Sequence, residues 1–391
     1  MKDVYERALE AHRNWKGKLS VESKAKIDSK EELGLAYTPG VAQPCREIAK
    51  DRDLAYEYTW KGNSIAVISD GSAVLGLGDI GPEAALPVME GKSILFKKFG
   101  GVNAVPIVLN TKNTEEIIQT IKNIAPTYGG INLEDISAPR CVEIERRLIE
   151  ELDIPVFHDD QHGTAIVVTA ALINSLKLAG KDAKDVTVVV SGTGAAGSSI
   201  INMMKRLGVY NIYAFNRKGV LRRSEIAFYN FVEKEIAEIT NIEDEDITIS
   251  EAMTKADVFI GVSGPNVINA EMVRSMKSKP IVFAMANPEP EIPYEEAIKG
   301  GAFVAGTGRS DFPNQVNNVL AFPGLFKGAL QARAKKITEE MKMAAAVGIA
   351  NLISEDELNP EYVIPSVFDE RVADFVAKEV IRVSELENGR N

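Results

Sequence analysis

An α/β chain of two domains is predicted by three observations: alternating strand and helix patterns, carboxylates at strand ends, and a glycine-rich loop between a β-branched strand and an apolar helix. The expected division is an N-terminal α/β domain over residues 1–160. A Rossmann-type, doubly wound parallel sheet then follows over residues 161–391, with C-terminal helices. At 391 residues the chain exceeds what one ordinary core serves.

Residues 1–35 are charged and helix-prone without a deep apolar pattern, and Tyr37-Thr38-Pro39-Gly40-Val41-Ala42 is a breaker cluster that predicts a loop. Ser64 to Ser69 reads as a buried strand, followed by a glycine-rich loop through Gly81. Val105–Leu109 and Ile154–Phe157 are further short apolar runs separated by helical patterns. His162 to Ala179 predicts a helix linking the domains, its apolar face set by Ile166, Ala170, Ile173 and Leu176. A second strand series follows at Val186–Val190, Asn211–Phe215, Val258–Val262, Ile281–Met285 and Phe303–Ala305. The acidic stretch from Glu233 to Asp246 reads as a solvated surface segment, and amphipathic helices over about 328–352 and 367–386 close the chain.

Apolar content of 45% and charged content of 26% fit a soluble globular enzyme. A net charge of −11 argues against nucleic acid or an anionic membrane as the main partner. The two cysteines, Cys45 and Cys141, lack any metal or redox spacing, fit a reducing cytoplasm, and are expected to be small buried residues. Charge near the N-terminus argues against a signal peptide, and wholly apolar runs fall short of the ~18 residues of a membrane span.

Two segments match GxGxxG, Gly76-Leu77-Gly78-Asp79-Ile80-Gly81 and Gly192-Thr193-Gly194-Ala195-Ala196-Gly197, so context decides between them. The later one follows directly on a strand, runs into an apolar helix, and carries no charge. Its backbone amides can therefore face a pyrophosphate. The earlier one is separated from its strand and puts Asp79 where a pyrophosphate would lie, so it is expected to be a structural turn. Gly91-Lys92-Ser93 resembles the end of a phosphate-binding Walker loop, but Leu86 stands where that loop needs glycine, leaving Lys92 for other work. Nineteen residues past Gly197, Asn216-Arg217 replaces the usual acidic residue; Asn216 can bond a ribose hydroxyl and Arg217 can attract a 2′-phosphate, so NAD and NADP both stay open.

Glu134, Asp135, Asp159 and Asp160 lie at or just past strand ends, which line the ligand crevice of parallel α/β sheets. Oxygen ligands without a nearby cysteine favour Mg²⁺ or Mn²⁺ over zinc. Neighbours on an extended segment point opposite ways, so one of Asp159 and Asp160 is expected to bind metal while the other pairs with a base. A zinc reading of His158 and His162 needs both inside one helix, yet Pro155-Val156-Phe157 leads in as a strand. A further reading makes the acidic residues simple caps of the following helix.

Over nearly its full length the chain resembles the malic enzymes of the short prokaryotic form. The matching blocks are Tyr37–Ala42, Leu75–Gly81, Met89-Glu90-Gly91-Lys92, Asn132–Ile136, Val156–Thr164, Phe283–Pro288 and Asn317–Gly324. The resemblance implies oxidative decarboxylation of (S)-malate with NAD or NADP and Mg²⁺ or Mn²⁺. It makes Tyr37 the general acid and Lys92 the general base with Asp159 beside it. Glu134, Asp135 and Asp160 become the metal ligands, and Asn287 and Asn318 bind substrate together with Lys92. Expected cofactor contacts are the loop Gly192 to Gly197, Asn216, Arg217, Ser263 and Asn287. A lysine base requires a pKa depressed by desolvation and a nearby cation. Longer members grip a substrate carboxylate with an arginine where this chain has Ala73-Val74. A symmetric homodimer in the cytoplasm is expected. Rival activities are a malolactic reaction that retains the cofactor and an amino-acid dehydrogenase of similar shape.

Overall fold

Six residues of almost wholly apolar sequence, Ser64–Ser69, form the buried central strand β1 of a first sheet. In the computed structural model, which describes residues 3–389 apart from Leu75, this strand pairs with β2 (Asn103–Val108) and β3 (Gly130–Leu133), and β3 pairs with β4 (Val156–His158). All pairings are parallel, in the order β2-β1-β3-β4. Every carboxyl end therefore opens on one side, where the loops carrying Asp70, Glu134 and Asp159 begin.

A second sheet has the order β10-β9-β8-β5-β6-β7, with β5 (Thr187–Ser191), β6 (Asn211–Asn216), β7 (Gly219–Val220), β8 (Val258–Gly261), β9 (Ile281–Ala284) and β10 (Val304–Thr307). Only the short β7 is antiparallel among the described residues. The order reverses around β5, so β5 is the switch point at which the glycine loop from Gly192 emerges.

The helix Thr164–Ala179 joins the sheets and is buried along most of its length. The stretch Asp159–Ala179 is apolar and long enough by composition to cross a bilayer, yet 72% of its tested window is buried inside the protein, as a core helix should be. One core links Ile65, Val67 and Phe157 of the first sheet to Val188, Val190 and Ile260 of the second through this helix.

The predicted helix over 328–352 is instead two helices, Phe322–Gln331 and Glu339–Asn351. Arg333 sits in the left-handed region at φ 51°, and the Thr338 side chain accepts from the Met341 amide to start the second helix. Burial of Ala334 and Ile337 holds this break. Arg371–Asn388 is the last helix. Phe322–Gln331 returns to the first sheet, where Phe326 meets Phe157 edge-on at 5.9 Å and Phe96 at 5.5 Å. Cys141 is buried as expected but Cys45 is exposed, because its helix Ala42–Lys50 buries no residue.

Candidate active site

Lys92 rides on the helix Pro82–Leu95, whose start is set by the earlier glycine loop. Gly76, Gly78 and Gly81 all adopt φ between 73° and 80°, a left-handed path that reverses the chain and delivers Pro82 to the first helical turn. Leu75, at the head of that motif, lies outside the described residues. The Lys92 ammonium lies 2.6 Å from Asp159 Oδ2, 2.8 Å from Glu134 Oε1, and 4.4 Å from the centre of the Phe322 ring. Asn318 donates to the same Asp159 Oδ2 at 2.9 Å, while its own carbonyl accepts from Thr164 Oγ1 at 3.0 Å. Glu134, Asp135 and Asp160 each offer an oxygen, and these atoms all lie within 4.8 Å of one another. This donor set fits a hard divalent cation. Asp135 is held at φ 53°, an uncommon conformation for a residue with a side chain, and its amide donates to Asp160 Oδ2 at 2.8 Å.

The charges are unbalanced, since Glu134, Asp135, Asp159 and Asp160 face one ammonium. Burial raises the Glu134 pKa well above the usual carboxylate range, and repulsion from Asp160, Asp159 and Asp135 adds to it against the pull of Lys92. For Lys92, burial favours the neutral amine, but Asp159, Glu134 and Asp160 outweigh it and raise the pKa. The sequence expectation joins desolvation to a nearby cation, and the carboxylates around Lys92 are the groups such a cation would offset.

Asp159 and Asp160 lie not on an extended segment but in a single π-helical turn, Asp159–Gly163, entered directly from β4. They still face different partners, Lys92 for the buried Asp159 and the Asp135 amide for the half-buried Asp160. At Gly163 a Cβ would come 2.0 Å from Asp159 Oδ1, so only glycine leaves that carboxylate in place. The turn is held from below by Glu145, a residue that no sequence motif marks. Its carboxylate accepts from the His158 amide at 2.7 Å and from Gln161 Nε2 at 3.1 Å, and pairs with His162 Nε2 at 2.9 Å. Lys342 meets His162 Nδ1 at 3.1 Å. Burial opposes the Glu145 charge, but His162 and Lys342 prevail and hold its pKa at about 2. His162 is thereby engaged, while His158 ends β4 and lies outside the helical turn that carries His162.

The helix Ala195–Leu207 packs on this π turn and brings the second sheet's glycine loop to the same cleft. Its N-cap Gly194 makes no side-chain capping bond, leaving the first amides for an anion. A Cβ on Gly197 would lie 1.8 Å from Gly192 O, the close strand-to-helix approach that a dinucleotide loop requires. Thr193 is buried within this loop, and Ala195 and Ala196 open the helix. Ser263, past β8, shares a hydrogen bond with Ser191 at 2.8 Å, and its amide donates to Glu291 at 2.6 Å. The other Glu291 oxygen accepts from the Ala286 amide at 3.1 Å. Glu291, also missed from sequence, therefore ties together the loops that carry Ser263 and Asn287. Across the cleft, the earlier glycine loop reaches that second loop, with Pro288 Cδ 3.2 Å from a Cβ built on Gly76.

A model of the malic enzyme N-terminal domain matches residues 16–149, and a model of the malic enzyme NAD-binding domain matches residues 161–385. The chain belongs to the malic enzymes. The bifunctional malic/malolactic enzyme of Bacillus subtilis is 54% identical over 384 residues, 98% of this chain and 93% of that relative. The NAD-dependent malic enzyme of Geobacillus stearothermophilus is 54% identical over 368 residues, 94% of this chain and 77% of the relative. The solved structure of the NAD-dependent malic enzyme of Thermotoga maritima matches with a TM-score of 0.93 at 49% identity, over 97% of this chain and 99% of that one.

Not every residue expected from the malic enzymes joins the cluster. Tyr37 caps the C-terminal end of the helix Lys30–Ala36 and is 66% exposed; among the described residues its side chain makes no hydrogen bond or ion pair. Asn287 Nδ2 contacts Met285 O at 3.3 Å. Arg217 is exposed. In place of the arginine of longer malic enzymes, Ala73 uses its backbone and donates to Asp135 O at 3.0 Å. Arg140 nearby is paired with Asp70 at 2.6 Å.

Proposed function

We infer that this malic enzyme oxidatively decarboxylates (S)-malate to pyruvate and CO₂, with NAD or NADP reduced. One observation carries the mechanism: Lys92 lies between Asp159 and Glu134, beside a tight set of three oxygen ligands, in the cleft that the dinucleotide loop faces. Lys92 takes the proton of the malate C2 hydroxyl. Asp159, fixed by Asn318, keeps the amine aimed at it. Glu134, Asp135 and Asp160 would hold Mg²⁺ or Mn²⁺. Such a cation, when bound, supplies a Lewis acid for the C2 oxygen and offsets the carboxylate charge that retains the Lys92 proton. Asn287 and Asn318 orient the substrate carboxylates, and Tyr37 returns a proton to C3 after CO₂ leaves.

Exposed Val4, Tyr5, Leu9, Trp15, Leu33 and Leu35 support a homodimer that covers the N-terminal arm on which Tyr37 lies. Two free cysteines support a cytoplasmic setting.

The test is an initial-rate assay with (S)-malate, Mn²⁺ and either dinucleotide, with pyruvate and reduced cofactor quantified. Both products should form in equal amounts, and EDTA should abolish turnover until Mn²⁺ is restored. Full activity after chelation would remove the metal from the mechanism. A second reading, malate to lactate with retained cofactor, is favoured by the bifunctional Bacillus relative. It predicts lactate without net dinucleotide reduction.

A further inference from the structure

The acidic stretch beginning at Glu233 is not merely a solvated surface. Its first part is the helix Phe231–Ile239, which buries Val232, Ile236 and Ala237 and starts with a reciprocal capping box between Asn230 and Glu233. That box fixes the Glu233 carboxylate. Its Oε2 accepts from Asn230 Nδ2 at 2.9 Å and from the Asn230 amide at 3.3 Å. The other oxygen, Oε1, is thereby aimed at the glycine loop, 2.9 Å from Asn216 Nδ2 and 3.4 Å from Thr193 Oγ1.

Those two neighbours define the place. Thr193 lies between the first two glycines of the dinucleotide loop, and Asn216 ends β6, where this fold contacts the adenosine ribose. A cavity of about 130 Å³ lies against this point, lined by Thr193, Gly194, Asn230 and Glu233 from the second sheet's side and by Ala138 and Pro139 from the first's. The Asn216 side chain is engaged on both sides, its Nδ2 donating to Glu233 and its Oδ1 accepting from the Lys218 amide at 2.8 Å, which holds the carboxylate in place. It therefore acts as a positioning residue. Glu233 Oε1 retains acceptor capacity, since the Thr193 contact is long and a carboxylate oxygen accepts more than one bond.

We propose that Glu233 is the acidic side chain at the adenosine ribose and makes this chain selective for NAD over NADP. It stands in for the carboxylate that the end of β6 lacks. A ribose 2′-hydroxyl can donate to Oε1, whereas a 2′-phosphate would set like charges together in a partly desolvated crevice. Arg217 is exposed and has no hydrogen-bond or ion-pair partner among the described residues, so it lacks a comparable fixed geometry.

The proposal rests on the dinucleotide site inferred under the proposed function, and its test does not require malate turnover. NADH and NADPH binding to the intact protein and to Glu233→Gln would be titrated by nicotinamide fluorescence, alongside initial rates with NAD and NADP. Gln can keep the capping box, so the helix start is preserved. The wild type should bind NADH at least about tenfold more tightly than NADPH. In Glu233→Gln that preference should fall at least about tenfold, mainly through tighter NADPH binding. Arg217→Ala should leave the preference within about twofold. Wild-type binding of NADPH as tightly as NADH would overturn the proposal, as would an unchanged preference in Glu233→Gln. If both dinucleotides bind but malate is not consumed, the decarboxylase reading fails while the binding ratio still judges Glu233.

Discussion

The carboxyl ends of the two sheets meet in one cleft but are built from opposite materials. At the first, ionisable side chains do the work: Lys92 and Asp160 gather with the buried Glu134, Asp135 and Asp159. At the second, the backbone does it, through an uncapped helix start and glycines admitting close approach. A site of charges must have its charges balanced and its carboxylates held in place. A site of amides needs only the right chain path. Accordingly the first end carries a supporting network, Glu145, His162 and Lys342, while the second carries a carboxylate, Glu291, that mainly ties loops to one another.

This contrast can be broken most forcefully at Lys92. Lys92→Ala should lower kcat by ~10²–10⁴, the range for losing a positioned proton-transfer group, with NADH binding within about twofold of wild type. Retained turnover would remove Lys92 as the base, and lost NADH binding would show that the two ends are not separable. Gly197→Ala attacks the other end, where the new methyl meets Gly192 O. Overpacking of ~1–3 kcal/mol should appear as a dinucleotide KM about 5- to 150-fold higher, with the KM for malate nearly unchanged. Equal rises in both constants would mean that the distortion crosses the cleft.

The smallest expected effect on turnover at neutral pH concerns the support under the π turn. The Glu145 pKa is lowered from 4.5 to about 2 in the folded protein, so its contribution is present above pH 4.5 and is lost as pH falls from there toward 2. Because each tenfold change in proton affinity is worth ~1.4 kcal/mol, the contribution amounts to about 3 kcal/mol. Thermal melts across that window should fall steeply for wild type and more gently for Glu145→Gln. Parallel curves would show that the charge of Glu145 does not stabilise the fold.

Much of the first end was legible because the chemistry there demands particular residue types. Carboxylates past short apolar runs flagged Glu134, Asp135, Asp159 and Asp160, and the failed Walker pattern left Lys92 free for the ion pairs it makes with Glu134 and Asp159. Glu145 was not legible, since its partners His158, Gln161 and His162 lie across a helix-to-strand connection and only packing brings them together. Glu233 was hidden in a charge run, although Asn230 three residues before it spells a capping box that signals a fixed carboxylate. The break between the helices ending at Gln331 and starting at Glu339 escaped because its residues are helix-prone; Thr338 followed by two glutamates was the usable sign.

By itself the sequence determined the alternation of strands and helices, the choice between the two glycine motifs, and the residue types of the charged cluster. These follow from local periodicity and from what loops and ligands require of single residues. The tertiary structure alone decided which charges face one another. It set the Lys92 ammonium against an excess of carboxylates, placed Tyr37 on an exposed arm, and turned Glu233 toward the loop that the sequence had left without an acid. Charge interactions depend on distance and burial, and neither is written in the order of residues along a chain.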